Sequence, residues 1–418
     1  MPFELLVALR YLREGRTQTT LILTGIGVGV GVIIFLSALI TGLQRSLVAR
    51  TLGTQAHVVV RPREEMPRVL APPDPGAARV TQVERPAQRI RSIVQWQRAQ
   101  AEIARLPGVV ATAPTIAGPA IAVRGDGASA VTVRGIDPAS YGRIVDLGAF
   151  LRAGRLELDG FHAVIGAELA RYLGLSVGDR FRLRVSGSAA ADTGTGEPAG
   201  GDGVYTVSGI LDLGNRDLNQ RWVFVALRAS QSLFGLEGGV STIEVTVAGI
   251  YDAERLAGAI TRRTGLVADS WMRTNEQLLT ALRSQSASSR TIQTFVGLAV
   301  ALGIASVLAV SVVQKAREIG ILRATGTSRR QVLRIFLLQG AILGLLGSAV
   351  GIALGAALGL LFARLARNPD GSATFPVALG AVLYLRSAAL AVGVGVAAAL
   401  LPARRAAGVE PARIIRAG

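Results

Sequence analysis

The chain has 418 residues, half of them hydrophobic but only 5% aromatic, with a mean hydropathy of +0.44; that balance suits a membrane protein with Ala-, Val-, Leu- and Gly-rich helices better than a soluble enzyme of this length. Its formal charge of +17 comes from arginine spread over the whole chain, with no basic tail or helix, so it does not mark a nucleic-acid surface. Cysteine is absent, which excludes a thiol nucleophile, a disulfide framework and a Cys-based metal site, and His57 and His162 are too few for a His-rich centre.

Residues 1–20 read as a cytoplasmic or interfacial segment. An uncharged apolar run between Arg16 and Arg45 then predicts a transmembrane helix over 21–43, because a span needs about 20 apolar residues. The run is too long for a signal-peptide core of about 7–15 residues. Gly25, Gly27, Gly29 and Gly31 give it two overlapping small-xxx-small pairs, which favour close helix packing.

Residues 44–289 read as a large α+β extracytoplasmic domain inserted between the first and second spans. Alternating or β-branched runs predict strands at 57–60, 131–134, 180–185, 205–210, 222–225 and 242–247, with helices near 95–106, 168–173 and 253–264. The Pro-rich stretch 62–86 and the Gly/Ala-rich stretch 186–203 read as loops.

Three further apolar runs predict transmembrane helices at 290–314, 335–363 and 385–403. Between them lie a basic segment, 315–334, and a short periplasmic loop, 364–384; a tail, 404–418, follows. The fourth span is short, but Tyr384 and a snorkelling Arg386 extend it at the interface. Arg10, Arg13 and Arg16, the basic segment, and Arg404, Arg405, Arg413 and Arg416 then share one side, which the positive-inside rule makes cytoplasmic. The fold class expected is a membrane protein of four transmembrane α-helices with that outer domain. In the third span Gly340, Gly344, Gly347, Gly351, Gly355 and Gly359 recur every three or four residues. Such a stripe implies a tight helix–helix contact, within one chain or between two.

Enzyme chemistry is not expected. The one lysine, Lys315, lies between Gln314 and Ala316, so no P-loop exists in the chain, and ATP hydrolysis is expected in a partner. No G-x-S-x-G elbow and no H-E-x-x-H motif are expected either, and Glu64 and Glu65 read as solvated. The basic segment is different. Lys315, Arg317, Glu318, Arg323, Arg329 and Arg330 are interleaved with Ile319, Ile321, Leu322 and Ala324. A loop that only fixes topology needs neither Glu318 among its cations nor apolar residues between them. The pattern predicts a short helix, a break at Gly326 to Ser328 with Ser328 as N-cap, and a long helix. It is expected to dock a partner.

The stretch REIGILRATGTSRRQVLRIFLLQGAILGLLGSAVG resembles the signature of permeases of the MacB/FtsX/lipoprotein-releasing group of ABC transporters. PFELLVALRYLR, AHVVV, LPGVVATAPTIAG, VRGIDPASYGR, LARYLGLSVGDRFRL, YTVSGILDLG and VSTIEVTV resemble the LolC/LolE-type, lipoprotein-releasing subgroup. The resemblance implies that two permease subunits pair, as a homodimer or with a related paralogue. It implies two copies of an ABC ATPase subunit, which bind ATP and Mg and dock at Lys315 to Arg330, and no cofactor in this chain. ATP-driven closure would move the outer domains mechanically. In the lipoprotein-releasing branch, cargo leaves the inner membrane for a periplasmic carrier. The MacB branch drives efflux with an adaptor, and the FtsX branch regulates cell-wall hydrolases. The stretches 62–86 and 186–203 look like insertions relative to the lipoprotein-releasing pattern.

Overall fold

The computed structural model describes residues 3–14, 16–63, 90–185, 201–365 and 377–408. Most of the expected loops 62–86 and 186–203, with Glu64 and Glu65, lies outside the described residues, as do part of 364–384 and the tail beyond Gly408. The chain opens with α1 (Phe3–Glu14) and α2 (Arg16–Leu52). There follow β1 (Val58–Arg61), α3 (Trp96–Ala104), β2 (Val109–Arg124), β3 (Gly127–Ile136), α4 (Pro138–Tyr141), β4 (Leu151–Gly154), β5 (His162–Gly166), α5 (Ala167–Leu173) and β6 (Arg180–Arg184). Next come β7 (Asp202–Leu211), α6 (Arg216–Arg221), β8 (Trp222–Ala226), α7 (Leu227–Phe234), β9 (Thr242–Val247), α8 (Ala253–Thr264), β10 (Val267–Ser270) and α9 (Trp271–Thr274). The chain ends in α10 (Glu276–Gln314), α11 (Ala316–Ala324), α12 (Arg329–Leu365) and α13 (Ala381–Ala407). It divides into two units, Met1–Val48 with Leu278–Gly418, and Ala49–Gln277.

Among the described residues α2, α10, α12 and α13 are long and apolar enough to cross a membrane. Both α2 and α10 run on as helix past their uncharged stretches, through Arg45 and Arg50 in one and from Glu276 to Arg290 in the other. The sheet-bearing unit therefore begins at Ala49 and ends at Gln277, inside the expected 44–289. Hydropathy marks where lipid can begin, whereas a helix continues as long as its i to i−4 bonds are made. Polar side chains link the two helices: Gln44 Nε2 donates to Ser286 Oγ at 2.8 Å and Gln293 Nε2 to Ser37 Oγ at 3.0 Å.

The Ala49–Gln277 unit is built on a ten-stranded mixed sheet in the order β10-β1-β9-β2-β3-β8-β5-β7-β4, with β6 pairing β2 and β7. Every expected strand lies on one of these strands, and the expected helices fall on α3, α5 and α8. The pleat sends alternate residues to two buried faces. Val133, Ile165 and Val223 join one core cluster, while Ile136, Val164 and Phe224 join another. Asp202 and Gly203, expected in a loop, are drawn into β7 by pairing with Arg184 and Leu183.

The long strand β2 was not among the expected strands, and it contains Pro114, Gly118 and Pro119, residue types that weaken a strand. It is held on one edge by β3 along Thr115 to Arg124. On its other edge β9 pairs up to Thr115 and β6 from Ile121 to Val123. Pro119 falls in the gap between them, where no ladder bond is asked of its missing N–H. Ser241 Oγ accepts from the Ala117 amide in the same gap, at 2.9 Å.

On the second face lies a buried ion pair. Arg134 of β3 reaches across β2 to Glu244 of β9, with its guanidinium 4.4 Å from the Trp222 ring and 5.8 Å from the Tyr141 ring. Burial pushes the Tyr141 phenol well above the ordinary tyrosine range, and the Glu244 charge adds to that.

Candidate functional site

The segment expected to dock a partner folds as α11, a break and the start of α12. Gly326 takes a left-handed backbone, φ 104°, which a side chain would strain, and the Thr327 amide closes back on the Leu322 carbonyl at 3.0 Å. α12 then opens on a reciprocal cap. Ser328 Oγ accepts from the Gln331 amide at 3.3 Å, and Gln331 Oε1 accepts from the Ser328 amide at 2.8 Å.

Three contacts fasten this turn to the rest of the Met1–Val48 and Leu278–Gly418 unit. Ile319 is buried with Val312, Val332, Phe336, Ala403 and Ala406. Arg323 Nη1 donates to the Ala407 carbonyl at 2.9 Å, at the negative end of α13. Lys315 Nζ bonds to Glu14 at 2.5 Å and Glu318 at 2.8 Å, and lies 5.5 Å from the Tyr11 ring. Hydrogen bonds from Lys315 and then Arg10 hold the Glu14 carboxyl below its usual range; bonds to Glu14 and then Glu318 hold the Lys315 ammonium above its own.

The sequence-predicted residues therefore divide. Lys315 and Arg323 are fastened inward, while Arg317, Glu318, Gly326, Arg329 and Arg330 are exposed beside the exposed Ile321. The Lys315–Glu318 pair was legible as neighbours three apart. Glu14, Tyr11 and Ala407 were missed, since nothing in the sequence signals such distant partners.

The glycine stripe of α12 meets different helices along its length. Gly340 and Gly344 face α13, where a Cβ on Gly344 would stand 2.6 Å from the Ala391 carbonyl oxygen. Gly351 and Gly355 face α2, where Cβ atoms would stand 2.6 Å from Val30 Cβ and 2.9 Å from the Gly31 carbonyl oxygen; Gly347 abuts Ile26. Gly359 meets Val377 and Leu379. The stripe thus forms two seams within one chain. In α2 the small residues divide likewise: Gly27 and Gly31 pack on α12, Gly29 faces Val300 of α10, and Gly25 has open space.

One motif expectation needs correction. Gly174–Gly178 reads GLSVG and does have G-x-S-x-G spacing. Here it leads from α5 towards β6, with Gly174 as C-cap at φ 62°, and the Ser176 amide donates to Asp179 Oδ2 at 2.9 Å. A nucleophile elbow runs from strand to helix, the reverse order. His57 Nδ1 sits 3.1 Å from Val247 backbone atoms and His162 Nδ1 2.7 Å from the Asp159 carbonyl oxygen. On the Ala49–Gln277 unit a cleft of about 740 Å³ is lined by Trp96, Pro138, Leu158, Phe161 and Arg228, among others, none of which the sequence singled out.

Four membrane-length helices, a mixed-sheet unit between the first two in sequence, and a braced basic turn define the class: a multi-pass membrane protein with an extracytoplasmic domain. The chain belongs to the MacB/FtsX-like permeases of ABC transporters: a MacB-like periplasmic core domain matches residues 19–263, and an FtsX-like permease C-terminal region matches residues 291–411. It is 25% identical to the lipoprotein-releasing system transmembrane protein LolC of Xylella fastidiosa over 363 residues, 84% of this chain and 80% of that protein. It is 30% identical to the macrolide export ATP-binding/permease protein MacB of Pectobacterium atrosepticum over 110 residues, 26% of this chain and 16% of that one. The crystal structure of the periplasmic region of MacB from Actinobacillus actinomycetemcomitans aligns with 56% of this chain and 95% of its own, at 12% identity and a TM-score of 0.32.

Proposed function

We propose that this permease is driven by a separate ABC ATPase subunit that grips the α11–α12 turn, and that it releases lipoproteins from the outer leaflet of the cytoplasmic membrane. The observation that carries this reading is the turn itself: exposed Arg317, Glu318, Ile321, Arg329 and Arg330 on a base pinned by Lys315, Ile319 and Arg323. A push on such a base enters α12 directly, because the helix is capped at the turn by Ser328 and Gln331. ATP and Mg belong to the partner, and this chain performs no hydrolysis of its own. Two permease chains act together, and the Ala49–Gln277 unit is the part that moves cargo. Similarity to LolC over most of the chain favours lipoprotein as that cargo. A second reading, efflux with a periplasmic adaptor, draws on the MacB-like core match over 19–263.

The orientation has a clean test because the chain is free of cysteine. Asp126→Cys, in the exposed β2–β3 turn, should react with an impermeant maleimide in intact cells, and Arg330→Cys only after the membrane is opened. The opposite pattern would overturn the topology. For the cargo, the complex purified from membranes and reconstituted in vesicles should release an acylated lipoprotein into the soluble fraction with ATP. Release of no lipoprotein, together with a stably bound adaptor, would favour the second reading.

A further inference from the structure

A groove of about 410 Å³ in the Met1–Val48 and Leu278–Gly418 unit is lined by Glu4 of α1, Arg334, Leu337, Leu338 and Ala341 of α12, and Val396 of α13. Its charged groups are Glu4 and Arg334, and the remaining lining is apolar. Arg334 and Ala341 are about 10 Å apart along the helix at 1.5 Å per residue, the distance from a headgroup to the upper part of an acyl chain. The Arg334–Glu4 pair is loose, at 3.9 Å, and the Arg334 side chain is 68% exposed, so most of its five donors are uncommitted to Glu4. Beside the groove, α1 buries Ala8 and Tyr11 against Ile335 and leaves Phe3, Leu6 and Leu9 exposed, the build of a helix lying in a membrane interface. The cationic excess around it comes from α12, which opens with Arg329 and Arg330, while on α1 Arg10 and Arg13 are balanced by Glu4 and Glu14.

We propose that this groove binds one anionic phospholipid, its phosphate against Arg334 and an acyl chain along Leu337, Leu338, Ala341 and Val396. The inference rests on the membrane reading above. A zwitterionic lipid fits the apolar floor equally well, so headgroup charge is what the site selects, through Arg334 and the neighbouring Arg329 and Arg330 at the start of α12.

The test is native mass spectrometry of the full chain in detergent, titrated with phosphatidylglycerol and with phosphatidylcholine of matched chains. One phosphatidylglycerol should be retained about fivefold more tightly, the weight of one interfacial arginine. Arg334→Gln should abolish the preference, Arg334→Lys should keep it, and Ala341→Phe should weaken both lipids by filling the floor. Equal retention by the wild type, a preference that survives Arg334→Gln, or displacement by inorganic phosphate would each overturn the proposal. Carbonate-resistant membrane insertion of every variant separates this failure from failure of the membrane reading.

Discussion

Replacing Arg134 by alanine is expected to remove about 3–5 kcal/mol of stability from the Ala49–Gln277 unit, the cost of stranding one half of a buried ion pair. Glu244 would be left in the core with Thr115 at 3.5 Å as its remaining hydrogen-bond donor among the described residues, and its Oε2 already has no hydrogen-bond partner there. The aromatic faces of Trp222 and Tyr141 would lose the cation stacked against them. Domains of this size hold about 5–15 kcal/mol, so the loss is a large share of the margin. The readout is convenient, because Trp96, Trp222 and Trp271 all lie in this unit and no tryptophan lies in the other. Urea unfolding of the full chain followed by tryptophan fluorescence should show the transition move to much lower denaturant. Arg134→Met with Glu244→Leu should restore most of it, since an apolar pair of similar volume satisfies the same cavity. A loss below about 1 kcal/mol in the single variant, the value of an exposed pair, would contradict the buried assignment.

The second large effect is expected at Gly344→Leu. Its Cβ would meet the Ala391 carbonyl at 2.6 Å and Val392 Cα at 2.9 Å, both backbone atoms that cannot rotate aside. The α12–α13 seam must open, at about 1–3 kcal/mol or more for overpacking. Gly393→Leu, on α13 with nothing within 4 Å, is the matched control. Thermal aggregation in detergent should begin several degrees lower for Gly344→Leu, at roughly 2–4 °C per kcal/mol for a unit of this size, and be unchanged for Gly393→Leu. Equal melting of the two variants would show that the seam is not formed.

Much of this architecture was legible before the structure because its signals are local. The spans announce themselves by uncharged length, and β9 and α8 by alternation and by helical periodicity. The Ser328 cap was legible from a hydroxyl ahead of a helix, and Gln331 three residues on completes the box. What escaped depends on partners far along the chain. β2 carries two prolines and is a strand only because β9 and β6 leave a gap at Pro119. Arg134 looks like one more surface arginine until β9 brings Glu244 beneath it, 110 residues later. Within the candidate site, the charge pattern marked Lys315 to Arg330 as a unit but could not separate braces from contact residues. That division required Glu14 and the Ala407 carbonyl, neither of which neighbours the segment in sequence.

On the function proposed above, the α11–α12 turn is where a separate ATPase holds this permease. Glu318→Arg and Arg330→Glu reverse charges on the exposed face and leave the Arg323–Ala407 brace and the Ser328–Gln331 cap in place; Arg330→Glu also leaves Lys315 bonded to Glu14 and Glu318, whereas Glu318→Arg removes one of those two partners. The direct measurement is affinity purification of each full-length variant from membranes, with quantification of the P-loop ATPase that comes with it. Wild type should retain the ATPase, and both variants should lose most of it while still inserting in the membrane. Retention at wild-type levels in both, with ATP-dependent activity unchanged, would contradict it.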